Sequence, residues 1–273
     1  MSDAWAALRD GVRRVQRAPA VLFGLWCLTL AAAVQVALTQ AAADVPSAAA
    51  WLQDLVAQPT DAAAAIALHG APRDAAALAC TSIVAWLFVA GGVLDRYARD
   101  RAVRTPGFFA AAGVFFFRFL RLAIAQAVVY AALVTLVPDA TAAGAAIALV
   151  SVIVDYAKVR MVVEDRRSAI GAIGAAIGFL RRHLLSAAAL FAMTYALFRI
   201  VVGAVHLMVT AQGRDPAWSA VVATAVAAAV QIDMKLLFWA SETALFQATL
   251  AHAGYVARPE PMWPESPAAE ALM

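Results

Sequence analysis

The segment VSVIVDYAKVRMVVEDRRS, from Val150 to Ser168, decides how the chain is interpreted. It follows an uncharged apolar run and introduces Asp155, Lys158 and Arg160 while the helical pattern continues. Such charges either form a site inside a membrane or mark the point where a helix leaves it. At about 1.5 Å per residue, Asp155 lies about 20 to 25 Å from the start of the run, near the far side of a hydrocarbon layer of about 30 Å. The segment therefore predicts a helix that leaves a membrane.

The composition of the whole chain agrees with a membrane environment. Of its 273 residues, 64% are hydrophobic and only 14% are charged, and several long runs carry no charge. This composition is typical of a polytopic membrane protein, because a soluble chain would place charge on its helical faces far more often. We predict six membrane-spanning helices: Val21 to Ala43, Ala75 to Leu94, Leu122 to Val137, Ala140 to Tyr156, Leu184 to Thr210 and Ala217 to Ala240.

The basic residues predict which way the chain faces. They cluster before the first predicted span, between the second and third, and between the fourth and fifth, whereas the alternate connections hold only Arg73 and Arg214. By the positive-inside bias, the basic segments and both termini are cytoplasmic, which indicates a multi-pass protein of the bacterial inner membrane. The partner implied by this surface is a bilayer with anionic headgroups. Nucleic acid is not indicated, since the arginines lie at span ends and form no aromatic-interleaved groove.

A three-unit repeat organises the predicted spans. An apolar stripe with helical spacing occurs at Trp5 to Val15, at Phe109 to Phe119 and at Ile170 to Leu180, each followed two residues later by arginine and then by a span. The predicted fold is therefore all-α, with three repeats of an amphipathic interfacial helix plus a helical hairpin. One integral membrane domain, 1–258, contains the repeats 1–104, 105–165 and 166–258, with an outer insertion at 44–74. Residues 259–273 form a proline-rich cytoplasmic tail.

The stripes have two interpretations at this stage. In one, their apolar side dips into the bilayer while basic side chains contact lipid headgroups. In the other, the stripes pack against the spans of the protein itself. Both interpretations keep these helices at the cytoplasmic interface. The residues predicted to contact headgroups are Arg13, Arg14, Arg17, Arg118, Arg121, Arg181 and Arg182.

The second span of each unit ends in an aspartate followed by a base, in VLDRYARDR, IVDYAKVRM and QIDMKLLFW. Three such ends at one depth could converge on a shared cytoplasmic mouth and form an ion or proton site. The simpler alternative is ion pairing that satisfies helix ends near the interface. Arg199 is added to the candidates because it lies well inside the fifth span. The candidate polar or ion site comprises Asp155, Lys158, Arg199, Asp233 and Lys235.

Recognisable catalytic motifs are missing from the sequence. The four histidines show no H-E-x-x-H or clustered ligand spacing, and neither a G-x-S-x-G nor a Walker-type glycine loop occurs. We therefore predict no enzyme activity, no cofactor and no metal site.

Three stretches carry a family resemblance: VDYAKVRMVVEDRRSAIGA from Val154, LLFWASETALFQATLAHAGY from Leu236 and PMWPESPAAEA from Pro261. Through them the chain resembles a set of uncharacterised multi-pass inner-membrane proteins of GC-rich bacteria. The layout around EDRRSA is also similar to the broader group labelled as membrane domains of glycerophosphodiester phosphodiesterases. The catalytic barrel of those enzymes is a separate soluble domain, for which this chain has no room. The resemblance implies a membrane location and fold, and it implies no site residues.

Three functions are therefore considered. The first is a non-catalytic scaffold, assembly factor or lipid-organising component, with a membrane or cytoplasmic protein as a further partner. The second is a transporter or permease subunit that uses the charges at the cytoplasmic span ends. A third, an intramembrane enzyme, lacks a nucleophile and base at one depth.

Overall fold

A computed structural model of the protein describes residues 2–27, 73–211 and 216–249. All regular secondary structure in these ranges is helical, which confirms the all-α prediction. The predicted outer insertion up to residue 72, most of the first predicted span and the tail lie outside the described residues. Residues 19–27 are helical as far as they are described. The other helices are α1 (Ser2–Gln16), α2 (Arg73–Arg99), α3 (Thr105–Leu136), α4 (Ala140–Val163), α5 (Ala169–Arg182), α6 (Leu184–Ala211) and α7 (Pro216–Thr249).

The predicted spans from Ala75 onward fall on α2, α3, α4, α6 and α7. In the described part of the chain, α3 and the Leu184–Val205 portion of α6 are long and apolar enough to cross a membrane. Only 17% of the most apolar stretch of α3 and 22% of that of α6 are buried within the protein. A core helix of a soluble protein would be largely buried, so these two surfaces are better suited to lipid than to water.

The second repeat differs from the prediction in one respect. Its amphipathic stripe and its first span form one continuous helix, α3, instead of two helices. In the other units the chain breaks between stripe and span, at 17–18 and at His183. The first break is held by Arg96, whose Nη2 donates to the carbonyl of Arg17 at 3.0 Å. The repeat is therefore imperfect at this junction.

The turn between α3 and α4 lies at 137–139, at the junction of the predicted spans Leu122 to Val137 and Ala140 to Tyr156. Asp139 caps α4 by accepting a hydrogen bond from the Ala142 N–H at 2.8 Å, which satisfies one of the free donors at the helix start. Deeper in the hairpin, Gln126 donates to the Tyr130 hydroxyl at 2.6 Å, and that hydroxyl also bonds Ser151 of α4. Polar links of this kind join helices in lipid, where apolar contact alone gives little preference for protein over lipid.

The core surrounds the C-terminal half of α7, which contacts α1, α2, α4 and α6. Its central residues include Tyr97, Phe119, Tyr156, Leu236 and Phe246, each at most 1% exposed. These positions belong to the segments predicted to lie at the cytoplasmic ends of the spans. Among the side chains that the structure describes, packing is therefore concentrated at this end of the helices, and many large apolar side chains elsewhere are exposed.

Each stripe packs against the protein over part of its length: Leu8, Phe119 and Leu180 are buried, and Val12, Val15 and Ile173 pack against the core. In α5, Ala172, Ala176 and Phe179 face the core, whereas Ile170 is 84% exposed. In α1, the inward face consists of Ala4, Ala7, Leu8 and Gly11, and Trp5 is 62% exposed. Small residues thus allow close packing, while several larger apolar residues are directed away from the core. This arrangement favours lipid contact for the outward face of each stripe.

Candidate functional site

A buried ion-paired cluster lies between α4 and α7, and we call Asp155, Lys158, Lys235 and Trp239 the Asp155 cluster. Lys158 Nζ donates to Asp155 Oδ1 at 3.1 Å, and Lys235 Nζ donates to Asp155 Oδ2 at 2.9 Å. The indole N–H of Trp239 donates to Asp155 Oδ1 at 3.2 Å. One carboxylate therefore accepts three donors and joins two helices that are distant in sequence.

Helical spacing explains why these side chains meet. Asp155 and Lys158 are three residues apart, which places them on the same side of α4. Lys235, Trp239 and Glu242 are spaced i, i+4 and i+7, which forms one face of α7. Trp239 also packs edge-on against Trp86 of α2, with ring centroids 5.9 Å apart. The aromatic contact fixes the indole so that its N–H reaches the carboxylate.

The cluster is largely shielded from solvent. Asp155 and Lys158 are each 5% exposed, and Trp239 is 2% exposed. Both lysine ammonium groups also lie near the Trp239 ring, with Nζ 5.7 Å from the centroid for Lys158 and 5.4 Å for Lys235. Such contacts help to compensate cations for lost hydration. Because two lysines share one aspartate, the Asp155 cluster carries a net charge of +1 when all three groups are ionised.

A second buried acid, Glu242, lies on the same face of α7 just past Trp239. Glu242 is 3% exposed, and its Oε2 has no hydrogen-bond partner among the described residues. The hydroxyl of Tyr156, which follows Asp155 on α4, is likewise buried and without a partner in that part of the chain. The site therefore contains two carboxyl groups in different situations. Asp155 accepts three donors, whereas one oxygen of Glu242 accepts none.

Two predicted members of the site lie elsewhere. Asp233 is exposed, because two residues of helix rotate it to the opposite face of α7 from Lys235. Arg199 is on the exposed side of α6, where its Nη1 lies 3.4 Å from the Tyr195 hydroxyl and its guanidinium lies over the Tyr195 ring. The structure thus brings together Asp155, Lys158 and Lys235 from the predicted set.

The predicted convergence of three span ends is replaced by a convergence of two. The equivalent aspartate of the first unit, Asp95, is 4% exposed and pairs with Arg99 of its own helix at 2.8 Å. This separate pair satisfies the end of α2 locally. Only the ends of α4 and α7 contribute to the Asp155 cluster, so the threefold sequence pattern does not produce a threefold site.

Sequence analysis missed Trp239, Glu242 and Tyr156 as neighbours of the site. A usable signal was the i, i+4, i+7 spacing of Lys235, Trp239 and Glu242. The predicted sixth span ends at Ala240, which places Glu242 on the cytoplasmic continuation of that helix. In the structure α7 continues to Thr249, and its residues 241–246 are all buried.

The arginines predicted to contact headgroups separate into two groups. Arg14 is 8% exposed and donates to Asp10, to the Tyr97 carbonyl and to Gln247, so it joins α1 to α2 and α7. Arg118 pairs with Asp165 at 2.6 Å. These two side chains serve internal contacts. The others are exposed: Arg13, Arg17, Arg121, Arg181 and Arg182.

Within the described ranges, no group of three or more histidine, cysteine or acidic side chains is arranged to hold a metal ion. Comparisons with protein-family models, with curated proteins and with solved structures found no match to this chain. Function is therefore inferred from the geometry of the chain itself.

Proposed function

We propose that the chain is a non-catalytic integral protein of the bacterial inner membrane, with six spans and both termini in the cytoplasm. Its role is that of a scaffold, an assembly factor or a lipid-organising component. In this arrangement the outer parts of the helices contact lipid, and the packed core lies near the cytoplasmic leaflet. The exposed stripes and arginines then form a surface that contacts anionic headgroups.

The exposed surface of α5 and the start of α6 is the observation that carries this proposal. Ile170 and Leu185 are 84% and 86% exposed, and Leu184 is 62% exposed. Arg181 and Arg182 are exposed beside them, and α5 contains no acidic residue. Apolar side chains bordered by guanidinium groups match the boundary between acyl chains and anionic headgroups. Exposure to water would leave the same side chains without an apolar partner.

A lipid-binding prediction follows from this surface. Replacing Arg181 and Arg182 together by glutamine should reduce the enrichment of anionic phospholipid bound to the purified full-length chain by roughly 10- to 30-fold. The reason is that each basic residue near an anionic surface contributes about 1 kcal/mol. The measurement is the ratio of anionic to zwitterionic lipid retained by the protein in mild detergent, read by native mass spectrometry.

The matched control is the double lysine variant at the same two positions, which keeps both charges. It should retain most of the anionic enrichment, because long-range attraction depends on charge more than on guanidinium geometry. An unchanged lipid ratio in the glutamine variant would contradict the headgroup surface on α5.

The topology is tested by cysteine accessibility. With Cys27 and Cys80 replaced, single cysteines at Arg13, Arg101 and Arg167 should react with a membrane-impermeant maleimide only after the cells are opened. This result is expected because the basic segments are predicted to be cytoplasmic. A cysteine at Asp139, in the turn between α3 and α4, serves as the opposite control and should react in intact cells. Labelling of the arginine positions from outside would contradict the proposed orientation.

A transporter or permease subunit is the second candidate, favoured by the buried charges between α4 and α7. Transport would require the Asp155 cluster to exchange partners during a cycle. In the structure both lysines pair with Asp155, which favours a structural role of the cluster over a role in transport. Ion or proton flux into proteoliposomes that is lost when Asp155 is replaced by asparagine would reverse this order.

A further inference from the structure

Glu242 is the buried titratable group that the scaffold role leaves unexplained. The residue is 3% exposed, and Oε2 is enclosed without a hydrogen-bond donor in the described part of the chain. Tyr156 lies nearby and is 1% exposed, and its hydroxyl also lacks a hydrogen-bond partner in the described part of the chain. Buried polar groups normally have hydrogen-bond partners. Two buried groups that lack a partner next to the ion-paired cluster therefore need an explanation.

The local charges determine which form of Glu242 is stable. A buried ionised carboxylate with one oxygen that receives no hydrogen bond has a large desolvation cost, whereas a neutral carboxyl group has a much smaller one. The two lysines that could compensate that charge are already bonded to Asp155 at 3.1 and 2.9 Å. With this pairing, the structure favours a proton on Glu242.

We propose that Glu242 is a proton-binding site coupled to the Asp155 cluster. While both lysines pair with Asp155, the carboxyl group holds its proton. Loss of that proton to water leaves two acids and two lysines, a combination with no net charge. One lysine can then turn from Asp155 to the Glu242 carboxylate. The proposal concerns proton binding alone and is independent of the scaffold role.

The surroundings limit which groups can take part. The charged groups that act on Glu242 are Asp155, Lys158 and Lys235, and Glu242 in turn acts on Tyr156. On the helices that pack against α7, the remaining acids and bases near the core have other partners. These are Arg14 with Asp10 and Gln247, Asp95 with Arg99, Arg96 with the Arg17 carbonyl, Arg160 with Glu164, and Arg199 beside Tyr195.

Protonation also links this site to the pH dependence of stability. Glu242 lies beyond the predicted sixth span, and burial, reinforced by the Asp155 carboxylate and opposed by the lysines, raises the pKa of Glu242 well above its ordinary value. An unfolded chain loses this proton near a pKa of about 4.3. Above that pH the folded state binds more protons than the unfolded state, so the contribution of Glu242 to stability falls as pH rises toward the folded pKa.

Infrared spectroscopy of the full-length chain in detergent tests the proposal directly. The wild-type protein should show a carbonyl band of a protonated carboxylic acid, with the usual small shift in deuterated water, and Glu242→Gln should remove it. Glu164→Gln is the matched control and should leave the band unchanged. Although burial opposes ionisation of Glu164, hydrogen bonds from Arg160 and Arg166 hold its pKa below the ordinary value.

A second measurement keeps the test valid if Glu242→Gln folds poorly. Labelling the wild-type chain with ¹³C-glutamate should shift the same band, which identifies a protonated glutamate without any substitution. In addition, the thermal midpoint of Glu242→Gln should rise relative to wild type as pH is raised from about 5 to about 8, because glutamine has no proton to lose. A band that survives Glu242→Gln, or that is insensitive to glutamate labelling, would overturn the proposal.

Discussion

Replacing Asp155 by asparagine is expected to destabilise the protein by roughly 3 to 5 kcal/mol, which is the usual cost of removing one partner from a buried ion pair. The asparagine side chain can still accept a hydrogen bond, but it offers no negative charge to Lys158 and Lys235. Both ammonium groups would then stay in a buried site without a counter-charge. The measurement is the thermal or denaturant midpoint of the purified full-length chain in detergent.

The control for this substitution is Asp233→Asn on the same helix. Asp233 is exposed, so its replacement should change stability by no more than about 0.5 kcal/mol. Equal destabilisation by the two variants would show that the buried pairing is not the cause.

A triple variant with leucine at Asp155 and methionine at both lysines offers a further check. It should recover much of the stability, because apolar residues often replace buried ion pairs without loss.

The comparison of Asp155 with Asp233 shows how far the sequence alone could predict the site. The repeated pattern of an acid followed by a base indicated both residues equally, and spacing in one helix could not say which face meets another helix. That choice depends on the rotation of α7 against α4, which is a property of packing. Lys235 follows Asp233 in the repeated pattern, yet it pairs with Asp155, 80 residues away in the sequence.

The helices themselves were largely predictable, because lipid and protein interior both select long apolar runs. The same property explains the main errors. An apolar run cannot reveal whether its residues face lipid or the protein core, so the sequence does not show that residues 241–246 of α7 are buried in the core. The continuation of α3 across Arg121 was missed for a related reason. An arginine near an interface suggests a helix boundary, but its long side chain can reach headgroups from within a continuous helix.

The small-residue face of α1 was also not predicted, although it decides how this helix is attached. Of the large side chains in the predicted stripe, Trp5 is exposed, whereas Leu8 is buried. At Gly11 the backbone of α1 closely approaches Ser241 of α7, a contact that needs a residue without a side chain. Arg14 then completes the attachment with bonds to the Tyr97 carbonyl and Gln247.

Substituting leucine for Gly11 should therefore detach α1 from the core and destabilise the protein by about 3 kcal/mol, the upper part of the range for overpacking. A Cβ atom at this position would overlap Ser241 Oγ and lie 2.8 Å from the Ser241 nitrogen and 2.9 Å from its Cα. The latter two contacts involve backbone atoms, so no side-chain rotation can relieve them. The readouts are the thermal midpoint and the rate of proteolysis within residues 2–16.

The matched control is Gly174→Leu in α5, where an added Cβ would meet nothing within 4 Å. Leucine is favoured over glycine in a helix by up to about 1 kcal/mol, so this variant should be neutral or more stable. The two substitutions make the same chemical change in two interfacial helices and should have opposite signs. A Gly11→Leu variant with wild-type stability and protease resistance would show that α1 does not need the close crossing at Ser241 for its attachment.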